Sequence, residues 1–138
     1  MTPFERAFIA HLIADWLFQN DWMAKNKSKF FHPATWVHAL IHAILLGIAL
    51  GWLGGIVLAL VHILIDTRAP LNWWRGFFRQ TSDGPYAILT AVWADQVLHL
   101  VAIAIWVLLT QAVEFTPVAI LFSQFMAAGQ PGWRPKML

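Results

Sequence analysis

Four pairs of ionisable residues, each pair set in an apolar run and separated by four positions, constrain this chain more than any other feature. They are His11 and Asp15, His38 and His42, His62 and Asp66, and Asp95 and His99. A spacing of four puts two side chains on one face of an α-helix, about 40° apart in angle. Five of the six histidines and three of the five aspartates fall into these pairs, so the pattern belongs to the fold and not to isolated residues. Ionisable groups in apolar surroundings are costly unless they face a bundle interior, a cavity or one another. The expected fold is therefore all-α, with the pairs turned inwards from several helices.

The runs that carry the pairs are apolar enough to call for lipid. The chain is 59% hydrophobic and only 12% charged, with mean hydropathy +0.62. A soluble domain is nearer a quarter charged, because water must be met by polar groups. The expectation is a polytopic membrane protein, a single domain built on a four-helix transmembrane bundle. Its helices are placed at residues 3–23, 33–50, 54–66 and 85–109. Gly51, Gly54 and Gly55 mark the turn between the second and third. Residues 70–80 alternate aromatics with arginines, the composition of an interfacial helix. An apolar C-terminal segment, residues 116–128, is about 18 Å long as a helix, short for a crossing. The first run has Glu5 beside Arg6 and carries His11 and Asp15, so it is expected to be a retained helix and not a cleaved signal peptide.

Charge then sets an orientation. Lys25, Lys27, Lys29, Arg68, Arg75 and Arg79 lie in the loops after the first and third helices, whereas the glycine turn carries no charge. The positive-inside rule puts those loops in the cytoplasm and the N-terminus outside, in a bacterial inner membrane. The basic residues sit in short loops between apolar runs, so the net charge of +2 is read as a topology signal and nucleic acid is not an expected partner. With no cysteine in the chain, disulfides, thiolate metal sites and a cysteine nucleophile are excluded.

Counting from the turns brings the pairs to common depths. His42 stands level with His62 and His38 with Asp66, and Asp15 and Gln19 reach similar levels; the fourth pair, Asp95 and His99, is harder to place. The eight paired residues form the expected ligand set for a divalent metal ion, Zn first, with Fe, Mn or Ni as alternatives; a set without sulfur disfavours Cu(I). Gln19 and Gln96 are expected to orient the ligands from behind, and Asp15, Asp66 and Asp95 supply candidate general bases. Eight ligands exceed one tetrahedral site, so either two metals or one metal with supporting carboxylates is open. The competing reading is plain polar pairing that locks helices together.

The segment His11-Leu-Ile-Ala-Asp-Trp-Leu-Phe-Gln-Asn-Asp-Trp-Met-Ala24 followed by Lys27, together with the three later pairs and Gln96, resembles a family of small bacterial and phage integral membrane proteins of unknown function. The resemblance covers residues 5 to 105 and adds Asp21 to the polar signature. A looser similarity, in the style of the site, is to membrane-bound metal-dependent hydrolases. The leading expectation is such a hydrolase, acting on a lipid-linked or phosphate-containing substrate. A metal- or proton-translocating protein and a structural subunit of a larger membrane complex are the alternatives, and either could work as a homo-oligomer.

Overall fold

A computed structural model describes residues 1–80 and 85–114. The expected turn at 81–84 and the apolar segment at 116–128 lie outside the described residues. Among those described, the chain is all-helical with no strand. Its order is α1 (Pro3–Leu12), a π-helical turn (Ile13–Leu17), α2 (Asp21–Asn26), α3 (Pro33–Leu50), α4 (Trp52–Asp66), α5 (Ala69–Phe77) and α6 (Pro85–Glu114). Residues 1–106 form one compact unit; the rest form a second, of which only the last turns of α6 are described.

The first helix does not run unbroken from 3 to 23. Thr2 and Glu5 form a reciprocal capping box, Thr2 N donating to Glu5 at 2.8 Å and Glu5 N to Thr2 Oγ1 at 3.2 Å, and Pro3 begins the helix. After Leu12 the backbone widens, with Phe18 N donating to Ile13 O, five residues back. The helix then stops, and Asn20 caps α2 by accepting from Met23 N at 3.0 Å. Trp16, Leu17 and Phe18 continue the apolar pattern across this break, which is why composition alone reads one helix there.

The glycine turn is also tighter than expected. Gly51 alone joins α3 to α4, at φ +87°, and Gly54 and Gly55 lie inside α4, which begins at Trp52 and not at 54. Gly55 is the point of closest approach. A Cβ built there would lie 2.5 Å from Ala43 O and 2.6 Å from Gly47 N, so the backbones of α3 and α4 touch. The small residues Ala39, Ala43 and Gly47 let this happen.

Pro70 fixes the other end of α4. A helix continued through Pro70 would lose the bond to the carbonyl of Asp66 and collide with it. The chain instead stops at Asp66, passes through Arg68 in a left-handed conformation (φ 62°), and starts α5 at a 56° bend. Helix α5 occupies most of the segment expected at 70–80, and α6 runs five residues past the expected 109.

Polarity is inverted relative to a soluble bundle. On α3 and α4 the histidines, Asp66 and small residues are buried, while Leu40, Ile44, Ile48, Leu60 and Leu64 are exposed. Helix α6 likewise buries His99 and exposes Val97, Val101 and Ile105. Among the described residues, two helical stretches are long and apolar enough to cross a bilayer, α3 and residues Tyr86–Thr110 of α6, with a third if α4 and α5 count as one bent span. That is two or three, not four. Helix α4 alone rises about 22 Å against a hydrocarbon core of about 30 Å, and the run from α1 through the π-turn is no longer.

The Gly55 contact yields a direct test. Gly55→Ala should lower the thermal midpoint in detergent, at a cost of about 1–3 kcal/mol, because backbone must move to admit the methyl group. Gly76, within α5, has no atom within 4 Å of a built Cβ, so Gly76→Ala in the same assay should be neutral or slightly stabilising.

Candidate metal centre

Five imidazoles from four helices meet in the bundle interior: His11, His38, His42, His62 and His99, all buried. The His42 and His62 rings stack with centroids 3.6 Å apart, as the one-residue turn between their helices requires, and His99 lies 4.1 Å from His62. Asp15 comes to them from the π-turn. Its Oδ1 lies 3.1 Å from His38 Nε2, 3.2 Å from His42 Nε2 and 3.8 Å from His62 Nε2. Asp66, held at the end of α4 by Pro70, places Oδ2 3.1 Å from His62 Nε2 and 3.5 Å from His38 Nε2.

Hydrogen bonds alone do not satisfy this cluster. His38 Nε2 and His62 Nε2 are 3.0 Å apart, and each also faces a carboxylate oxygen at 3.1 Å. A neutral imidazole nitrogen either donates or accepts. If both donate to their carboxylates, two protonated nitrogens lie 3.0 Å apart with no bond between them; if one accepts from the other, it turns a lone pair on a carboxylate. His99 presents the same conflict. Its Nδ1 donates to the carbonyl of Asp95 at 2.9 Å, so the neutral ring turns a bare Nε2 towards Asp66 Oδ1, 4.0 Å away. That Nε2 has no hydrogen-bond partner among the described residues.

A cation placed between these atoms removes both conflicts. Asp15, His38, His42 and His62 offer ligand atoms all within 4.8 Å of one another, and so do His62, Asp66 and His99; both groups could hold a metal ion. A tetrahedral site with bonds of about 2.0–2.1 Å has ligand atoms separated by about 3.3 Å. Among these atoms His38–His62, His38–Asp15 and His42–Asp15 are 3.0, 3.1 and 3.2 Å apart and His62–Asp15 3.8 Å, on either side of that value.

Two of the eight expected ligands stand outside these groups. Gln96 Nε2 donates to Asp15 Oδ2 at 3.0 Å, which leaves its Oε1 to accept from His11 Nε2 at 3.3 Å. The proton of His11 is thereby on Nε2, so the ring orients Asp15 through Gln96 and does not offer a lone pair on that side. Asp95 is partly exposed, its Oδ2 3.9 Å from His99 Nδ1, and it lines a cavity beside the cluster. Gln96 thus bonds a buried carboxylate of the cluster directly. Gln19 lies beyond the helix break and does not continue the His11–Asp15 face; it lines the same cavity, its buried Oε1 without a hydrogen-bond partner among the described residues. Asp21 is exposed in the first turn of α2.

Sequence reasoning missed Lys27. Read as one of a run of solvated loop lysines, it instead points inwards, with Nζ 3.1 Å from Asp66 Oδ1, 3.5 Å from Asp15 Oδ1 and 3.4 Å from His38 Nε2. The buried Thr35 hydroxyl holds its loop, 2.7 Å from Lys29 O and 3.0 Å from Lys27 O. A carboxylate at the C-terminus of a helix, as Asp66 is, opposes the helix dipole, and the ammonium offsets that. One signal was present: Lys27 closes the N-terminal motif, whereas Lys25 and Lys29 stand outside it.

The cavity, of about 440 Å³, is lined by the polar side chains of Asp15, Asp95, Gln19 and Gln96 together with Lys27, Arg68 and Arg75. Asp15 therefore belongs both to the imidazole cluster and to a solvent-sized space.

The chain belongs to the family described as "Protein of unknown function (DUF3307)", which matches residues 4–126. No curated protein and no solved structure matches it.

Removal of the ammonium tests the charge balance of the cluster. Lys27→Met should destabilise the protein by roughly 3 kcal/mol, the low end for breaking a buried pair, because the lysine side chain is 15% exposed. Lys29→Met, in the same loop but exposed, should leave the melting midpoint in detergent within error of the parent.

Proposed function

We propose that this member of the family is a membrane-embedded, metal-dependent hydrolase. His38, His42 and His62 hold a divalent ion, Zn²⁺ first and Fe²⁺, Mn²⁺ or Ni²⁺ as alternatives, with Asp15 as fourth ligand or as the base beside an open position. Asp66 and His99 extend the centre on its other side. The nitrogen and oxygen donors and the absence of cysteine favour these ions over Cu(I).

The observation that carries the reading is the double membership of Asp15. A purely structural metal site is closed by its ligands, whereas a catalytic one keeps a position open to substrate. Asp15 faces three imidazoles through Oδ1 and lines the polar cavity, so a small polar molecule in that cavity reaches the centre. A bound divalent ion would supply Lewis acidity and an activated water. Within the chain, Asp15 is placed to accept a proton, Gln96 to fix its carboxylate, and Asp95 to act as a second base at the cavity wall.

Lys27, Arg68 and Arg75 line the cavity, which lies at the basic end of the bundle. Under the positive-inside rule that end is cytoplasmic, in a bacterial inner membrane with the N-terminus outside. The inverted burial of α3, α4 and α6 supports a bundle immersed in lipid, with the first segment and α4 crossing as short spans beside the two long ones.

Elemental analysis of folded protein purified in detergent should find about one divalent ion per chain, and His42→Ala should lose most of it. Metal re-added to the stripped parent at 100 times its dissociation constant should raise stability by about 2.7 kcal/mol. A folded, monodisperse preparation that carries no metal and gains no stability from Zn²⁺, Mn²⁺, Fe²⁺ or Ni²⁺ would overturn the proposal.

A further inference from the structure

Lys27 Nζ is set among atoms from both groups that could hold a metal ion. It lies 3.5 Å from Asp15 Oδ1 and 3.4 Å from His38 Nε2, which belong to the first group, and 3.1 Å from Asp66 Oδ1, which belongs to the second. The two groups share His62, whose Nε2 is 3.8 Å from Asp15 Oδ1 and 3.1 Å from Asp66 Oδ2. One lone pair binds one ion, so the two groups are not filled in full together. An ion that takes His62 with Asp15, His38 and His42 has four protein ligands, and it leaves only Asp66 and His99 in the second group. His99 Nε2 is buried and has no hydrogen-bond partner among the described residues. It faces, at 4.0 Å, the same Asp66 oxygen that Lys27 holds.

We infer that Asp66 and His99 form a second divalent-ion position that the Lys27 ammonium fills, so that the centre holds one metal and one fixed ammonium. The inference rests on the metal-centre reading for the first ion. Two carboxylates and one ammonium leave the cluster at a net charge of −1 with the imidazoles neutral. A single divalent ion reverses that to +1, whereas a second ion beside the ammonium would add two further charges to a buried site. Removing the ammonium frees Asp66 Oδ1 and lowers the charge that a second ion meets. Water from the cavity that Lys27 lines would complete the shell of such an ion, as it does at oxygen-rich sites with few protein ligands. Thr35 anchors the loop through the carbonyls of Lys27 and Lys29, so the ammonium is a built part of the centre and not a passing counter-ion. The symmetric clamp of a two-metal hydrolytic site is thereby replaced by one ion that activates water and one fixed positive charge.

The test is equilibrium dialysis of the full chain, folded in detergent, against excess Mn²⁺ and in parallel Zn²⁺, with EPR spectra of the Mn²⁺ samples. The parent should take up about one ion per chain and give an uncoupled Mn²⁺ spectrum. Lys27→Met should take up about two, with the spin coupling of ions about 4 Å apart. Adding His99→Ala to Lys27→Met should return the count to about one and abolish the coupling. His99→Ala alone should leave the parent's ion bound, its affinity reduced by less than about tenfold. Two coupled ions in the parent would overturn the inference, as would a single ion, or a second but uncoupled one, in folded Lys27→Met. Loss of the parent's ion on His99→Ala would also overturn it, because that ion would then depend on the position assigned to the ammonium. If Lys27→Met does not fold, the parent and His99→Ala carry the test: one retained ion supports the inference, and two ions or a lost ion overturn it. One ion in both the parent and Lys27→Met leaves the metal-centre reading standing while this inference fails. Neither metal bound to either protein removes both.

Discussion

Everything in this bundle is arranged around two carboxylates held away from water. Asp15 and Asp66 are both almost fully buried, in a chain whose outer surface is apolar. An unpaired charge in such a place costs several kcal/mol. The chain answers with imidazoles from three neighbouring helices, one amide and one lysine. Lys27 cancels one of the two charges, and with neutral imidazoles the cluster keeps a net charge of −1 from the two carboxylates and the ammonium. That remainder, together with ring nitrogens forced to face one another, is the physical reason a divalent cation suits the site.

Backbone irregularities do the positioning. The π-turn delivers Asp15 and then ends the helix early enough for Asn20 to start another, which turns the chain back so that Lys27 reaches the cluster. Widened turns of this kind recur at functional sites because they move one side chain without dismantling the helix on either side. Pro70 acts at a distance of four residues, terminating α4 at the aspartate that faces His62 and His38. Gly51 and Gly55 bring α3 and α4 to backbone contact, which sets the ring stacking of His42 on His62.

What could be read from the sequence was the part governed by helical period. The four pairs, their shared faces and the matching depths of His38, His42, His62 and Asp66 follow from counting residues between turns, and the distances agree with that counting. Length was read less well, because Trp16, Leu17 and Phe18 keep an apolar pattern through a break that only backbone hydrogen bonding reveals. Lys27 was hidden for another reason: its inward reach depends on Thr35 holding a loop, a contact between residues that no periodicity connects. The roles of His11 and Gln96 were equally illegible, since which ring nitrogen bears the proton is decided by an amide 85 positions away.

The one-residue turn at Gly51 has a consequence for how such a chain enters a membrane. Helices α3 and α4, joined so closely, behave as a single hairpin, and His38, His42, His62 and Asp66 all belong to it. These four meet one another within the hairpin itself, independently of the first segment and α6. The polar groups thus shelter one another from hydrocarbon during assembly. The first segment and α6, bringing Asp15 and His99, pack onto a half-site whose geometry the glycines have already fixed.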